Sequence, residues 1–195
     1  MTDPHTEDDA MTPTIARSHR ARLGVTVSLI MLGLIAAGCG TPTQPAAPPP
    51  APQSSAEIIA GIDTGDALAV MVAAIETAYT WQPGPDPDSA AGFDRARGLL
   101  TERYRAQVGA TASGLTAVPA GVWARWASAH ASITATAVIT PDDHPADTAQ
   151  TRQRVVALRQ RVNTVSGTEP DRDSAVYVTA TATPGGWRVS LIAPR

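Results

Sequence analysis

Residues 175–192, AVYVTATATPGGWRVSLI, decide the fold. Val176, Val178, Ala180 and Ala182 alternate with Tyr177, Thr179 and Thr181. A period of two sends these sets to opposite faces of a strand. Pro184-Gly185-Gly186 follows as a tight turn, and Trp187–Ile192 returns as the last strand of a hairpin. Upstream, Ile133, Ala135, Ala137 and Ile139 alternate with Ser132, Thr134, Thr136 and Val138, a third strand, and PDDHPAD at 141–147 reads as a turn. Residues 151–162 read two ways. A helix would place Arg152 and Arg159 inside its apolar face. A strand is favoured by the β-branched Val155 and Val156 and by the strands on either side. It would carry Arg152, Arg154, Arg159 and Arg161 across a change of face, for which a bulge is expected.

Ahead of these strands the period changes. Ser54-x-x-Glu57 has the form of a capping box, in which hydroxyl and carboxylate each satisfy a backbone N–H of the first turn. Leu68, Met71, Val72, Ile75, Ala78 and Tyr79 recur at spacings of three and four, so a helix capped by Asp63 or Thr64 should run to about Thr80. Pro83, Pro85 and Pro87 forbid its continuation. Asp88 or Ser89 caps a second helix carrying Ala91, Phe93, Ala96, Leu99 and Leu100, with a short continuation through Tyr104 and Val108. A loose loop rich in Gly, Ala, Ser and Thr follows, and then Trp123 and Trp126 share one face of a short helix. Helices followed by about four antiparallel strands define an α+β fold, with N-terminal helices packed on one face of the sheet.

The N-terminal quarter reads as an address. Arg17, Arg20 and Arg22 precede the apolar run LGVTVSLIMLGLIAA at 23–37. About 20 residues are needed to span a bilayer, so the run has the length of a signal-peptide core. It ends in IAAGC at residues 35–39, which resembles the lipobox of bacterial lipoproteins, with Ala36 where Leu is usual. The resemblance implies cleavage between Gly38 and Cys39 and a diacylglyceryl group on the Cys39 thiol. Two acyl chains make a stable anchor where one is marginal. The competing reading is a short uncleaved anchor with an incidental cysteine. Four acids precede the basic region, and a start at Met11 would remove them. Residues 39–55 form a lipidated cysteine and a Pro-rich linker, GTPTQPAAPPPAPQSS, biased to extended polyproline conformation. The expected organisation is therefore a signal peptide at 1–38, this linker at 39–55 and a single domain at 56–195.

Composition narrows the functions. Cys39 is the one cysteine, which excludes an intramolecular disulfide or a cysteine metal cluster. Every one of the 15 basic residues is Arg, and the net charge is −3. With aromatic residues at 4%, neither a basic field nor a stacking platform for nucleic acid is present. No G-x-S-x-G, phosphate-binding glycine loop or H-E-x-x-H occurs. Asp142, Asp143, His144 and Asp147 lack the spacing of a calcium loop, and His130 has no evident partner as a base. No cofactor and no metal is expected. The four arginines from 152 to 161 are the candidate partner-binding residues. Trp81, Trp123, Trp126 and Trp187 are expected in the core or lining a pocket.

The segment AIETAYTWQPGPDPD, the RARGLLT helix, the Trp pair and the final GGWRVSLI strand follow one another in an order similar to the cystatin-like cone of the nuclear transport factor superfamily. Within it, residues 57–195 resemble extracytoplasmic domains of secretion and conjugation scaffold proteins and of envelope proteins associated with lipid uptake. The resemblance implies a curved sheet, attachment to the membrane through diacylglyceryl-cysteine and an envelope protein partner. It carries no catalytic motif onto this chain. The expected function is a lipid-anchored, non-catalytic binding or scaffold protein of the cell envelope, accessory to a secretion or conjugation apparatus. A carrier of a small apolar ligand in the cone pocket is the alternative, and an isomerase or dehydratase the third reading.

Overall fold

The computed structural model describes residues 54–195 apart from Ala110. Gly38, Cys39, the export segment and most of the linker lie outside the described residues. Within them six α-helices precede a curved, open antiparallel sheet: α1 Ser55–Ala60, α2 Ala67–Tyr79, α3 Ala90–Ala96, α4 Glu102–Val108, α5 Ala112–Leu115, α6 Ala120–Ser128, then β1 Ser132–Ile139, β2 Thr151–Thr164, β3 Gly167–Thr168, β4 Arg172–Thr183 and β5 Gly186–Pro194. The α+β order expected from the sequence is the order found. The strands run β1-β2-β4-β5, with the two-residue β3 paired to β2 as an addition. Among the described residues no helix is long and apolar enough to cross a membrane.

The capping box forms as read: Ser54 Oγ accepts from the Glu57 N–H, and the Glu57 carboxylate accepts from the Ser54 N–H at 2.8 Å. The next cap differs. Asp63 turns its carboxylate to the Gly65 N–H, and Asp66 caps α2 by accepting from Leu68 at 2.8 Å. Three polar residues within four positions can each take that role, and the one beside the first regular turn wins. Asp88 supplies the carboxylate at the start of α3. The segment read as a loose loop holds α5, tied down where the buried Ser89 and Thr116 hydroxyls meet at 2.7 Å and Tyr79 donates to Leu115 O at 3.2 Å.

Helix α2 lies on the inner face of the sheet. Val70, Met71, Ala74, Ile75 and Ala78 are fully buried there, in one cluster with Ile133, Val156, Leu158, Val162, Val178, Ala180 and Val189. Each large aliphatic side chain so buried is worth about 1.5–3 kcal/mol. Residues 151–164 are a strand, and it runs without a bulge. Residues 152 and 154 share the even parity of the inner face, whereas 159 and 161 have odd parity. Seven residues from Arg152 to Arg159 therefore change face by strand period alone. The bulge lies in β5 instead: Thr179 pairs with Leu191 and Ala180 with Val189, leaving Ser190 over. Its hydroxyl donates to Thr179 O and accepts from Thr181 Oγ1. That extra residue lets Val189 and Ile192, three apart, both point inward.

Both outer strands have several of their free-edge backbone groups engaged. On β1, Ile133 and Trp81 exchange two backbone hydrogen bonds at 2.9 Å, Ala135 N–H donates to Thr80 Oγ1 and Ala137 N–H to Glu76 Oε1. On β5, Thr101 N–H donates to Val189 O, and the Tyr104 hydroxyl both donates to Ile192 O and accepts from Ile192 N–H at 3.0 Å.

Two glycines are required by close approach. Gly186, at φ +96°, makes the β4–β5 turn against Thr64. Gly92 brings α3 onto the end of α2, where an added Cβ would stand 2.1 Å from Ala78 O and 2.9 Å from Trp81 Nε1. Gly92→Ala should therefore cost about 3 kcal/mol by overpacking against backbone. Gly121→Ala in α6, with open space at its Cβ, should be neutral or gain about 0.5 kcal/mol. Urea unfolding of the two variants checks the contrast; equal midpoints would refute the packing argument.

Candidate functional site

The inner face of β2 is covered by α2 only as far as the helix extends. Val156, Leu158, Gln160 and Val162 lie beneath the helices and are buried. Continuing with the same parity, Arg154 and Arg152 emerge beside the helix N-terminus at Asp66. Trp187, paired with Ala182 at the far end of β5, shares that face. The chain beyond β1 forms the irregular segment 140–150, which brings Asp147 and His144 to the same place.

These side chains form one cluster. Arg154 Nη1 and Nη2 donate to the two oxygens of Asp147, each at 2.8 Å. Its side chain is only 10% exposed. Arg152 Nε lies 3.4 Å from the same carboxylate, and its guanidinium sits over the Trp187 ring, 5.4 Å from the centroid. Arg152 also donates to Thr148 O, and His144 Nδ1 lies 3.2 Å from Arg154 Nη1. A cavity of about 290 Å³ opens beside the cluster, bounded by Gly65–Leu68, Asp147, both arginines and Trp187. The hydrogen bonds from Arg154 hold the Asp147 carboxyl below the usual carboxylate range, and Asp147 raises Arg154 in return.

The other two arginines are elsewhere. Arg159 and Arg161 lie on the outer face of the sheet. Arg159 donates to both oxygens of Asp173 at 2.7 and 3.0 Å, while Arg159 and Arg161 stand 3.8 and 3.6 Å from Asp171. Both members of the Arg159–Asp173 pair are 60% exposed, so the pair contributes little to stability. The four arginines read as one candidate partner-binding set are thus two pairs on opposite faces, each matched by acids of the same chain. Asp147, read as part of a solvated turn, is the hub of the first pair.

The remaining candidates have structural places. His130 is exposed and stands at φ +47° where α6 ends, its N–H bonded to Ala127 O. Among the described residues no group of His, Cys, Asp and Glu is arranged to hold a metal. Trp81 and Trp126 are core residues, Trp123 stacks edge-on to Trp81 at 5.8 Å, and Trp187 lines the cavity. Two buried polar groups escaped the sequence reading. Asp86 pairs with Arg95 at 2.6 Å, and Gln160 donates to Tyr79 O at 2.7 Å. Neither pairing has a local signal, because Arg95 lies nine residues from Asp86 and Tyr79 lies 81 from Gln160, each in another element. A second, shallow groove of about 420 Å³ runs along the outer side of α2, lined by Ile62, Leu68, Ala69, Val72, Ala73 and Glu76.

No family model matches the chain, and no curated protein matches it. Among solved structures, a periplasmic fragment of TraM is similar over 68% of this chain and 97% of that one, at 15% identity and a TM-score of 0.46.

Asp147 and Asp173 are both depressed by an arginine donor. A carboxylate depressed in the folded state stabilises fully above its unfolded value, about pH 4, and the contribution is lost as pH falls through the folded value. Asp147→Asn should therefore lower the urea midpoint at pH 7 and flatten the decline below about pH 4. Asp173→Asn, whose pair is exposed, should do so less. Parallel acid limbs for wild type and Asp147→Asn would refute the assignment.

Proposed function

We propose that this chain is a lipid-anchored, non-catalytic binding or scaffold domain of the cell envelope, held by a diacylglyceryl group on Cys39 and accessory to a secretion or conjugation apparatus. The observation that carries the reading is the export segment: three arginines, an apolar run too short to span, and IAAGC ending at Cys39. The order of helices and curved sheet supports a cystatin-like cone on the end of that tether.

The use of the polar groups in the interior supports binding over catalysis. Gln160, Asp86, Ser89, Thr116 and Tyr104 spend their hydrogen bonds on backbone, on Arg95 or Arg172, or on each other. General acid–base work needs a group within reach of a substrate proton, and these reach only the fold. Between helix and sheet, where a cone fold would hold a small molecule, Met71, Ile75, Tyr79, Trp81 and Phe93 are packed into one core. That packing favours recognition on the outer surface over carriage of an apolar ligand inside.

Wild-type protein should partition with membranes, resist high salt and dissolve in detergent, whereas Cys39→Ala should be released or persist as unprocessed precursor. Fractionation with intact mass measurement checks this. Normal maturation and anchoring of the Cys39→Ala protein would overturn the lipid reading. Cross-linked membranes that never yield a co-purifying envelope protein would overturn the scaffold reading.

A further inference from the structure

We propose that the cavity at Arg152 and Arg154 is a binding site for a side-chain carboxylate from an acidic segment of a protein partner, and that Asp147 fills it in the unbound chain. The proposal deepens the binding reading above and rests on it for taking the ligand to be a protein.

The cluster has the chemistry of an occupied receptor. A planar guanidinium fork matches a planar carboxylate with two parallel bonds, and Arg154 makes both to Asp147 at 2.8 Å. A second guanidinium, Arg152, closes on the same carboxylate at 3.4 Å, so one acid is shared by two cations. Both cations are oriented without help from the acid. Arg154 is nine-tenths buried and also donates to Gln153 O, and Arg152 lies on the face of Trp187. Such pre-ordered groups bind at a reduced entropic cost.

The occupant comes from an exposed loop. Asp147 belongs to segment 141–150, every residue of which is exposed and which has no regular backbone. Its carboxylate is 34% accessible. The cavity of about 290 Å³ offers room beyond a carboxylate, with Ala67, Leu68 and the Trp187 ring as an apolar floor for the residues flanking a partner's acid. The other charged group facing it is Asp66, whose carboxylate is committed to the Leu68 N–H. With Asp147 withdrawn, two arginines face one acid and His144 stands beside them, so the site selects an anion. A tethered internal ligand competes at an effective concentration on the order of millimolar. The resting chain would therefore be masked towards weak, incidental anions and open to a partner that also engages the floor.

The full-length chain in detergent can be titrated calorimetrically with acetyl-Ala-Asp-Thr-amide, which reproduces residues 146–148 in trans, with its Asn counterpart, and with inorganic phosphate. Asp147→Asn should bind the Asp peptide at least about tenfold more tightly than wild type, because the internal competitor is gone. The Asn peptide should not bind, and adding Arg154→Ala should abolish the response. Equal binding of both peptides, or binding of neither by a folded Asp147→Asn chain, overturns the proposal. Phosphate bound in place of the Asp peptide overturns it too, in favour of a phosphorylated ligand. Should Asp147→Asn fail to fold, amide exchange at residues 143–149 of the wild type decides. The Asp peptide should raise it and the Asn peptide should not; unchanged rates overturn the proposal. Failure here leaves the anchoring and co-purification tests standing, and their failure leaves this one interpretable.

Discussion

Trp81 is held from four directions, and the arrangement of the domain follows from how it is held. Its indole N–H donates to Ala78 O at 2.9 Å, which turns the chain back on the helix it has just left. Its backbone exchanges both hydrogen bonds with Ile133, which fixes α2 in register against β1. Gly92 presses α3 against the same Ala78 carbonyl and indole, and Trp123 of α6 meets the ring edge-on. A large side chain at 0% exposure, carrying one donor that must be satisfied, leaves few ways to assemble three helices and a strand around it. The adjoining loop is locked by the same economy: Asp86 accepts from the Gln82 N–H and from Arg95, and Arg95 reaches back to Thr80 O.

That junction sits at the C-terminal end of α2, and the candidate site sits at the other. The division has a physical cause. At the Trp81 end the sheet is covered, so polar groups such as Gln160 survive only where backbone partners await them. At the Asp66 end the cover runs out, so the same face of β2 can carry arginines. The Arg152 plane rests on Trp187, and both charges meet an acid from an exposed loop.

The features legible in the sequence are those with local periodicity. The hairpin of 175–192, the α2 stripe and the Ser54–Glu57 box are each complete within eighteen residues, and each is found where it reads. Asp66 was hidden because Asp63 and Thr64 are equally good caps by type. The short α5 was hidden because Ala112–Leu115 has no stripe, and its hold comes from Ser89 and Tyr79, far off in sequence. The arginines illustrate a different failure. The change of face is legible but reads as a bulge, whereas 152 and 159 differ in parity and need none. Nothing local placed Asp147 between two of them. Val155 shows the limit again: it has outward parity but is 7% exposed, a burial that no alternation predicts.

The bonds to the outer strands come from residues 64–104, and the strands they serve lie between 132 and 194. The Tyr104–Ile192 contact alone spans 88 positions. A chain emerging N-terminus first therefore has its guards made before the edges that need guarding. The dependence is one-sided. Helices without the sheet are merely unstable, whereas the sheet without the helices is an apolar face between two open ladders, which is the template for edge-to-edge pairing. The N-terminal half thus covers both the apolar face and the edges of the C-terminal half.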